Sequence, residues 1–154
     1  MPPWTEDALR TRARWLLRSY RTWAGEDLIA LPDAGDDDAR ARALFDAPIA
    51  VLAHDRRADP LCVYANAAAL EAFALSLADA PAFATSRTVE PAAREERRAA
   101  LARADEVGLL SGYSGVRVST AGRLFRIHDG RIWKVLDDDG RHVGQAAAFR
   151  SGAV

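Results

Sequence analysis

The fold is decided by residues 112–150, whose sequence is GYSGVRVSTAGRLFRIHDGRIWKVLDDDGRHVGQAAAFR. Apolar and polar residues alternate through much of this stretch, and alternation with a period of two is typical of β-strands. The dipeptides Ala121-Gly122 and Asp139-Gly140 interrupt the alternation, and both suit tight hairpin turns. The stretch therefore predicts three consecutive antiparallel strands: Gly112–Ser119, Arg123–Leu136 and His142–Arg150.

The two turns also predict the register of these strands, because a turn of fixed length decides which residues face each other. One apolar face of the sheet then carries the odd-numbered residues from Phe125 to Val135. This parity continues through Asp129-Gly130, so we interpret that dipeptide as a bulge or local bend within one strand and not as a hairpin turn. The predicted pairs are Val118 with Phe125, Val116 with Ile127, and Trp133 with Ala146.

The opposite face of the predicted sheet is also apolar, and an exposed apolar face needs a cover. The N-terminal segment provides one, since it has an apolar stripe at helical spacing between a Thr5 N-cap and a stop at Gly25. We expect this helix to pack across the opposite face, in its own chain or in a partner's. The residues of that face are Leu124, Ile132, Leu136, Val143, Ala147 and Phe149.

The middle of the chain predicts two more strands and several helices, an order that is typical of an α+β fold. An acidic loop at Leu31–Asp38 precedes them. The predicted strands are Ile49–His54 and Leu61–Ala65. The predicted helices are Ala39–Asp46 with Asp38 as its N-cap, Ala67–Phe73 with Asn66 as its N-cap, and Ala92–Val107 between Pro91 and Gly108, with an irregular segment at Ala78–Arg87.

Composition excludes several classes of protein. A chain of 154 residues with 49% hydrophobic and 28% charged residues has the size and balance of one globular domain. A net charge of -1 gives no basic surface for nucleic acid. Cys62 is the single cysteine and the three histidines are dispersed, which argues against a disulfide framework and a metal site. Since we find neither a secretion signal nor a long apolar span, we expect a cytoplasmic protein that binds no membrane.

Several segments, taken in order, resemble the MEKHLA domain family. They are LLRSYRTWAG (16–25), LFDAPIAVLAHDRRADPLCVYANAAALEAF (44–73), EPAAREERRAALARADEVG (90–108), YSGVRVSTAGRLFRI (113–127) and DDDGRHVGQAA (137–147). MEKHLA domains are PAS-related, and they occur as small stand-alone bacterial proteins and at the C-terminus of plant class III homeodomain–leucine zipper proteins. The chain resembles the stand-alone bacterial type. It lacks the literal string that gave the family its name, and its Asp129-Gly130 pair is unusual for the family.

The resemblance implies a PAS-like α+β fold, in which a five-stranded antiparallel sheet has helices on one face and the N-terminal helix on the other. We expect an amphipathic helix at 1–26 and a PAS-like MEKHLA domain at 27–154. The implied function is a sensory or ligand-binding module without catalytic residues, which signals through a protein partner and forms a homodimer. Two alternatives stay open: a small α+β enzyme of the hydrolase or isomerase type that uses the same pocket, and a purely structural dimerisation domain.

Six residues are predicted to line the pocket. Tyr64 and Asn66 lie at a strand-to-helix junction that borders the pocket in PAS-like folds, although Asn66 also suits an N-cap. Polar groups on an apolar face need partners, so Asp129 and Arg131 either contact a ligand or pair with each other. The four candidates that share the predicted face of Phe125 and Ile127 are Ser114, Asp129, Arg131 and Trp133.

The sequence leaves the identity of any cofactor open but predicts a colourless protein. Cys62 belongs to an apolar strand and not to the Asn-Cys-Arg-Phe-type motif of light-sensing PAS domains. Neither His54 nor His128 belongs to a long helix that would present a haem ligand. A UV–visible spectrum of natively purified protein should therefore show no visible band. A stoichiometric visible chromophore would contradict this prediction.

Overall fold

A computed structural model describes residues 3–32 and 36–154, without the side chain of Trp4. Residues 33–35, in the predicted acidic loop, lie outside the described part of the chain. Within the described residues the chain forms four α-helices and five β-strands, besides short 3-10 helices. They are α1 (Asp7–Ala24), α2 (Asp37–Phe45), β1 (Ala50–His54), β2 (Cys62–Ala65), α3 (Ala67–Phe73), α4 (Arg94–Val107), β3 (Leu109–Val118), β4 (Leu124–Leu136) and β5 (His142–Gly152).

The five strands form one sheet in the order β2-β1-β5-β4-β3, and every neighbouring pair is antiparallel. The predicted five-stranded antiparallel sheet is therefore confirmed. Hairpins join β3 to β4 and β4 to β5, whereas β1 pairs with the far side of β5. The predicted pairing of Trp133 with Ala146 is also confirmed.

The helix ends follow local chemistry, with small shifts from the predicted ones. α1 begins after Glu6 and not after Thr5, because Glu6 has the extended backbone of an N-cap. It ends at Gly25 as predicted, where a φ of 78° gives the left-handed conformation that favours glycine. Asp36 and not Asp38 caps α2 with its carboxylate. No described helix is long and apolar enough to cross a membrane.

One extra residue in β4 decides which side chains face which side of the sheet. The pairing with β5 shifts by one between His128 and Arg131, where Asp129 has a φ of 52°. The predicted bulge is therefore present, but the predicted uninterrupted parity is wrong, because an inserted residue turns every later side chain to the other face. The cavity face carries Phe125, Ile127, Ile132, Ala147 and Phe149, and the helix face carries Trp133, Val135, Ala146 and Ala148.

α1 covers the helix face within its own chain. The predicted covering helix is confirmed, but it covers the opposite face from the one assigned to it. Trp133 is 0% exposed, its indole N–H donates to the Leu16 carbonyl at 3.1 Å, and its ring meets Tyr20 edge-on with 5.0 Å between centroids. The Ser19 hydroxyl accepts from the Leu136 N–H at 2.9 Å. The contact between α1 and the sheet thus combines apolar burial with hydrogen bonds that fix the position of the helix.

The predicted register between β3 and β4 is wrong by one residue. Val118 pairs with Leu124 instead of Phe125. The hairpin explains the difference, because its loop has three residues, Thr120–Gly122, and the last has a φ of 80°. The prediction assumed a two-residue turn, whereas a three-residue hairpin loop with glycine in the left-handed conformation is a common alternative. In the observed register Arg117 lies opposite Phe125.

Asn66 joins three elements at the end of β2. Its side chain is fully buried, and its Oδ1 accepts from the backbone N–H of Val51 at 2.8 Å and of Ala69 at 3.0 Å. Its Nδ2 donates to the carbonyls of Leu44 at 3.1 Å and Ile49 at 2.8 Å. The predicted N-cap of α3 is therefore confirmed. The same amide also ties the end of α2 and the start of β1 to that cap.

Asn66→Ala should lower the free energy of unfolding by about 3 kcal/mol or more, because buried backbone groups in three elements lose their partner. Asp36→Ala is the matched control, since it removes one exposed N-cap and should cost about 1 kcal/mol. Urea unfolding of both variants measures the difference. Equal losses would show that Asn66 acts as a helix cap and nothing more.

Candidate functional site

A small cavity lies between the cavity face of the sheet and the segment from α3 to α4. We call it the central cavity, and its volume is about 60 Å³. An engineered cavity that holds benzene has about 150 Å³, so this space suits a molecule of a few heavy atoms. Its apolar lining includes Leu52, Phe73, Leu101 and Phe149. Its polar lining consists of His54, Thr85, Thr88, Arg97, Arg117, Arg131 and Gln145, with Tyr113 beside them.

His54 lies at the polar side of the central cavity with both ring nitrogens hydrogen-bonded. Nε2 is 3.2 Å from Oε1 of Gln145, and Nδ1 is 3.0 Å from the Thr85 hydroxyl. The Gln145 amide nitrogen donates to the Leu101 carbonyl at 2.6 Å and to Asp105 at 2.8 Å. Since those bonds occupy the donors of Gln145, its oxygen accepts from His54 Nε2–H. This assigns the neutral Nε2–H tautomer to His54.

Arg97 extends this hydrogen-bond chain. Its guanidinium donates to the Thr85 hydroxyl oxygen at 3.0 Å, so that hydroxyl donates its own hydrogen to Nδ1 of His54. The chain therefore runs from Arg97 on α4 through Thr85 and His54 to Gln145 on β5, and returns to α4 at Leu101. Burial lowers the pKa of His54, and the positive charge of Arg97 adds to that effect. His54 is thus held neutral.

Arg117 is the second cation at the central cavity. It is 6% exposed, donates to the Tyr113 hydroxyl at 2.7 Å and to the Val116 carbonyl at 3.0 Å, and its guanidinium carbon lies 5.5 Å from the centre of the Tyr113 ring. Burial and, to a smaller extent, the charge of Arg117 together lower the pKa of Arg97 to about 10. Two guanidinium groups therefore face the same small space.

These contacts favour binding over catalysis. A general base needs a nitrogen or oxygen that is free to take a substrate proton, but the partners of His54 engage both of its ring nitrogens. The arginines stay protonated and supply hydrogen-bond donors and positive charge. The cavity is thus equipped to hold a small molecule by apolar contact and fixed donors.

The family follows from a comparison with known domains. The model of the MEKHLA domain matches residues 10–153. The chain belongs to the MEKHLA domain family. The rice homeobox-leucine zipper protein HOX29 (Oryza sativa subsp. japonica) is 28% identical to it over 141 residues, which is 91% of this chain. The matched region covers only 16% of that plant protein.

Solved structures confirm the PAS-like fold of this MEKHLA domain. The PAS domain of a protein from Colwellia psychrerythraea superposes with a TM-score of 0.62 at 17% identity, covering 72% of this chain and 92% of that one. The light-state dimer of the fungal blue-light photoreceptor Vivid gives a TM-score of 0.56 at 16% identity, covering 87% of this chain and 93% of that one. Family and fold together identify the chain as a MEKHLA domain with a PAS-like fold.

The residues of this MEKHLA domain do not fit the flavin-adduct or haem chemistry of some PAS-like sensors. Cys62 lies on β2 outside the lining of the central cavity, and burial raises the pKa of its thiol to about 11. A thiol that is held protonated is a poor nucleophile. His54 has no ring nitrogen left for an iron.

The structure places the six predicted site residues in different environments. Arg131 alone among them contributes to the lining of the central cavity. The side chain of Asn66 forms its four hydrogen bonds with backbone groups. Tyr64 is buried beside α1, where burial raises the pKa of its hydroxyl, and it lines a second cavity of about 370 Å³ next to β2. Ligand contact by these residues stays a prediction.

The predicted common face of Ser114, Asp129, Arg131 and Trp133 is wrong. Ser114 and Asp129 are exposed. Trp133 belongs to the helix face, and the Arg131 guanidinium donates to the Tyr20 hydroxyl on α1 at 2.8 Å instead of pairing with Asp129. The bulge in β4 places Arg131 and Trp133 on the helix face, because one inserted residue turns the later side chains to the other side of the sheet. The three-residue hairpin loop shifts the register of β3 against β4 by one residue.

Sequence reasoning missed Arg97 and Arg117 as residues of the cavity. Arg97 belongs to the run Glu95–Arg98, which suggests a solvated helix face. Its spacing of four residues to Leu101 and seven to Ala104 places it on the apolar face of α4, and this signal could have revealed it. Arg117 follows Val116 and precedes Val118, so simple alternation favours an outward position for it.

Stability should fall below a pH of about 6.5 because His54 is held neutral in the fold. The unfolded chain takes up a proton near that pH, while the folded chain does not, so acid favours unfolding. One such site changes stability by at most about 1.4 kcal/mol per pH unit. The charged groups around His54 are Arg97, Asp55 and Asp105.

Urea unfolding between pH 7.5 and 5.5 tests this dependence. We expect His54→Gln to flatten the slope of unfolding free energy against pH. His142→Gln is the control, because the pKa of His142 is also lowered by burial but this residue lies nearer the surface and within 3.4 Å of Asp105. It should leave the contribution of His54 in place. A slope that is unchanged in His54→Gln would refute the assignment.

Proposed function

We propose that this MEKHLA domain binds a small molecule in the central cavity and reports its presence through association with a protein. The observation that carries the proposal is the cavity itself, which is small, largely apolar and bordered by fixed polar groups. Ligand sites have this composition because apolar walls supply burial energy while a few polar groups set orientation.

The polar groups of the central cavity also connect it to the surface. Gln145 on β5 holds Leu101 and Asp105 on α4, and the other end of the same chain begins at Arg97, one helical turn before Leu101. A ligand that moves Arg97 or His54 would therefore change how α4 packs on the sheet. Since α4 is largely exposed on its other side, a partner could detect that change.

The finer parts of the proposal concern assembly and location. We propose a homodimer, and the dimeric light-state form of Vivid shows that a domain of this fold can dimerise. We also propose a cytoplasmic protein of the bacterial type, with a helical unit at 1–26 and a domain at 27–154, that binds neither nucleic acid nor membrane. The net charge of -1 supports the absence of binding to nucleic acid or to an anionic membrane, because the chain has no overall positive charge.

Acetamide, a short neutral amide, is a suitable probe of the central cavity in the full chain. Nitrogen-15 NMR spectra should show saturable shifts at cavity residues such as Ile127 and Phe149. Ala147→Leu should abolish those shifts because the larger side chain fills the space. Ala121→Leu in the exposed β3–β4 loop is the matched control and should bind as the parent protein does.

Light scattering of the same samples measures the molar mass and should give twice that of one chain. Shifts that are equal in both variants, or that never saturate, would overturn binding in the cavity. A monomeric mass at every concentration would overturn the homodimer and leave a different protein as the partner.

A further inference from the structure

The guanidinium groups of Arg97 and Arg117 approach the central cavity from different elements, α4 and β3. Arg117 is almost completely buried and Arg97 is half-buried. Charged side chains of this kind are rarely buried without a charged partner, because removing a cation from water is costly. The hydrogen-bond partners of Arg97 and Arg117 therefore show whether the two positive charges are balanced.

The partners of both groups are neutral oxygens. Arg97 donates to the hydroxyl of Thr85, and Arg117 donates to the hydroxyl of Tyr113 and to the carbonyl of Val116. Within residues 3–32 and 36–154, neither arginine forms an ion pair with a carboxylate. Each guanidinium has five N–H donors, so most of the donors of Arg97 and several of Arg117 remain unused by these bonds.

The two cations also repel each other, since the charge of Arg117 disfavours the protonated form of Arg97. An anion between them would relieve this repulsion and satisfy unused donors in the same step. The other polar side chains of the cavity cannot accept from the unused donors of the two arginines, because His54 and Gln145 are hydrogen-bonded to each other and to their neighbours.

The rest of the lining limits the anion. Leu52, Phe73, Ile127 and Phe149 form apolar walls, and a second charge against them would lose its hydration without compensation. A carboxylate matches the planar, paired donors of a guanidinium group, and an aliphatic chain fits the walls. The volume of about 60 Å³ restricts that chain to a few carbons.

We infer that the central cavity binds a short aliphatic monocarboxylate, with its carboxylate held by Arg97 and Arg117 and its chain against the apolar wall. This inference rests on the proposed ligand-binding function and names the chemical class of the ligand. It also explains why two cations without an anionic partner border so small a space.

Acetate and acetamide test the inference because they differ in charge and hardly in shape. Titrations of the full chain, followed by NMR at constant ionic strength, should show that acetate binds about tenfold more tightly than acetamide or better. Arg97→Gln should weaken acetate binding by about tenfold and leave acetamide binding unchanged. Arg94→Gln, at an exposed position on the same helix, is the matched control and should change neither affinity.

Arg117→Gln should have the same effect as Arg97→Gln. If Arg117→Gln unfolds because Arg117 is buried, the effect of Arg97→Gln on the two affinities tests the inference alone. Equal affinities for acetate and acetamide would overturn the carboxylate and leave the ligand-binding function standing. Binding of neither probe would overturn the proposed function itself. Inorganic phosphate that displaces acetate and binds more tightly would show that the site prefers a different anion, and so would also overturn the inference.

Discussion

The side-chain amide of Asn66 connects the parts of the molecule that enclose the central cavity. It satisfies backbone groups at the end of α2, at the start of β1 and at the first turn of α3, and it does so without contact with solvent. Backbone groups that are buried at such a junction need partners, and one asparagine supplies four of them. The position of α3 over the cavity face follows from this junction, and so does the placement of Phe73 against Phe125 and Phe149.

The bulge at Asp129 changes the side of the sheet on which the odd-numbered residues of β4 lie. Before the bulge, the strand contributes Phe125 and Ile127 to the cavity face. After it, the strand contributes Trp133 and Val135 to the core beneath α1. Gly130 is needed at this position, because a β-carbon there would lie 2.5 Å from the carbonyl oxygen of Tyr113 on β3. Without the inserted residue, Trp133 and Val135 would share the side of Phe125 and Ile127, so the irregular dipeptide decides which core each of these residues joins.

Much of the fold could be predicted from the sequence, since its signals are local. The cap at Asn66, the stop at Gly25 and the pairing of Trp133 with Ala146 depend on residue types and short turns. The site could not be predicted as well, because the side of a strand on which a residue lies depends on each inserted residue before it. One bulge moved Trp133 and Arg131 to the helix face, and one longer loop brought Arg117 opposite Phe125. Arg97 could not be predicted for another reason. It lies in a run of charged residues, which indicates a solvent-exposed helix face unless its spacing to Leu101 on the apolar face is considered.

The packing of α1 on β4 has a consequence for how the chain reaches its native state. The stripe of α1 that includes Leu16 and Tyr20 is synthesised first, yet its cover, Trp133, lies more than a hundred residues later. Closing a loop of that length costs entropy before any burial is gained, which slows folding. On the ribosome the part of this stripe that Trp133 covers stays exposed until β4 has been synthesised, so the nascent protein depends on the synthesis of that strand, or on a chaperone, to escape aggregation.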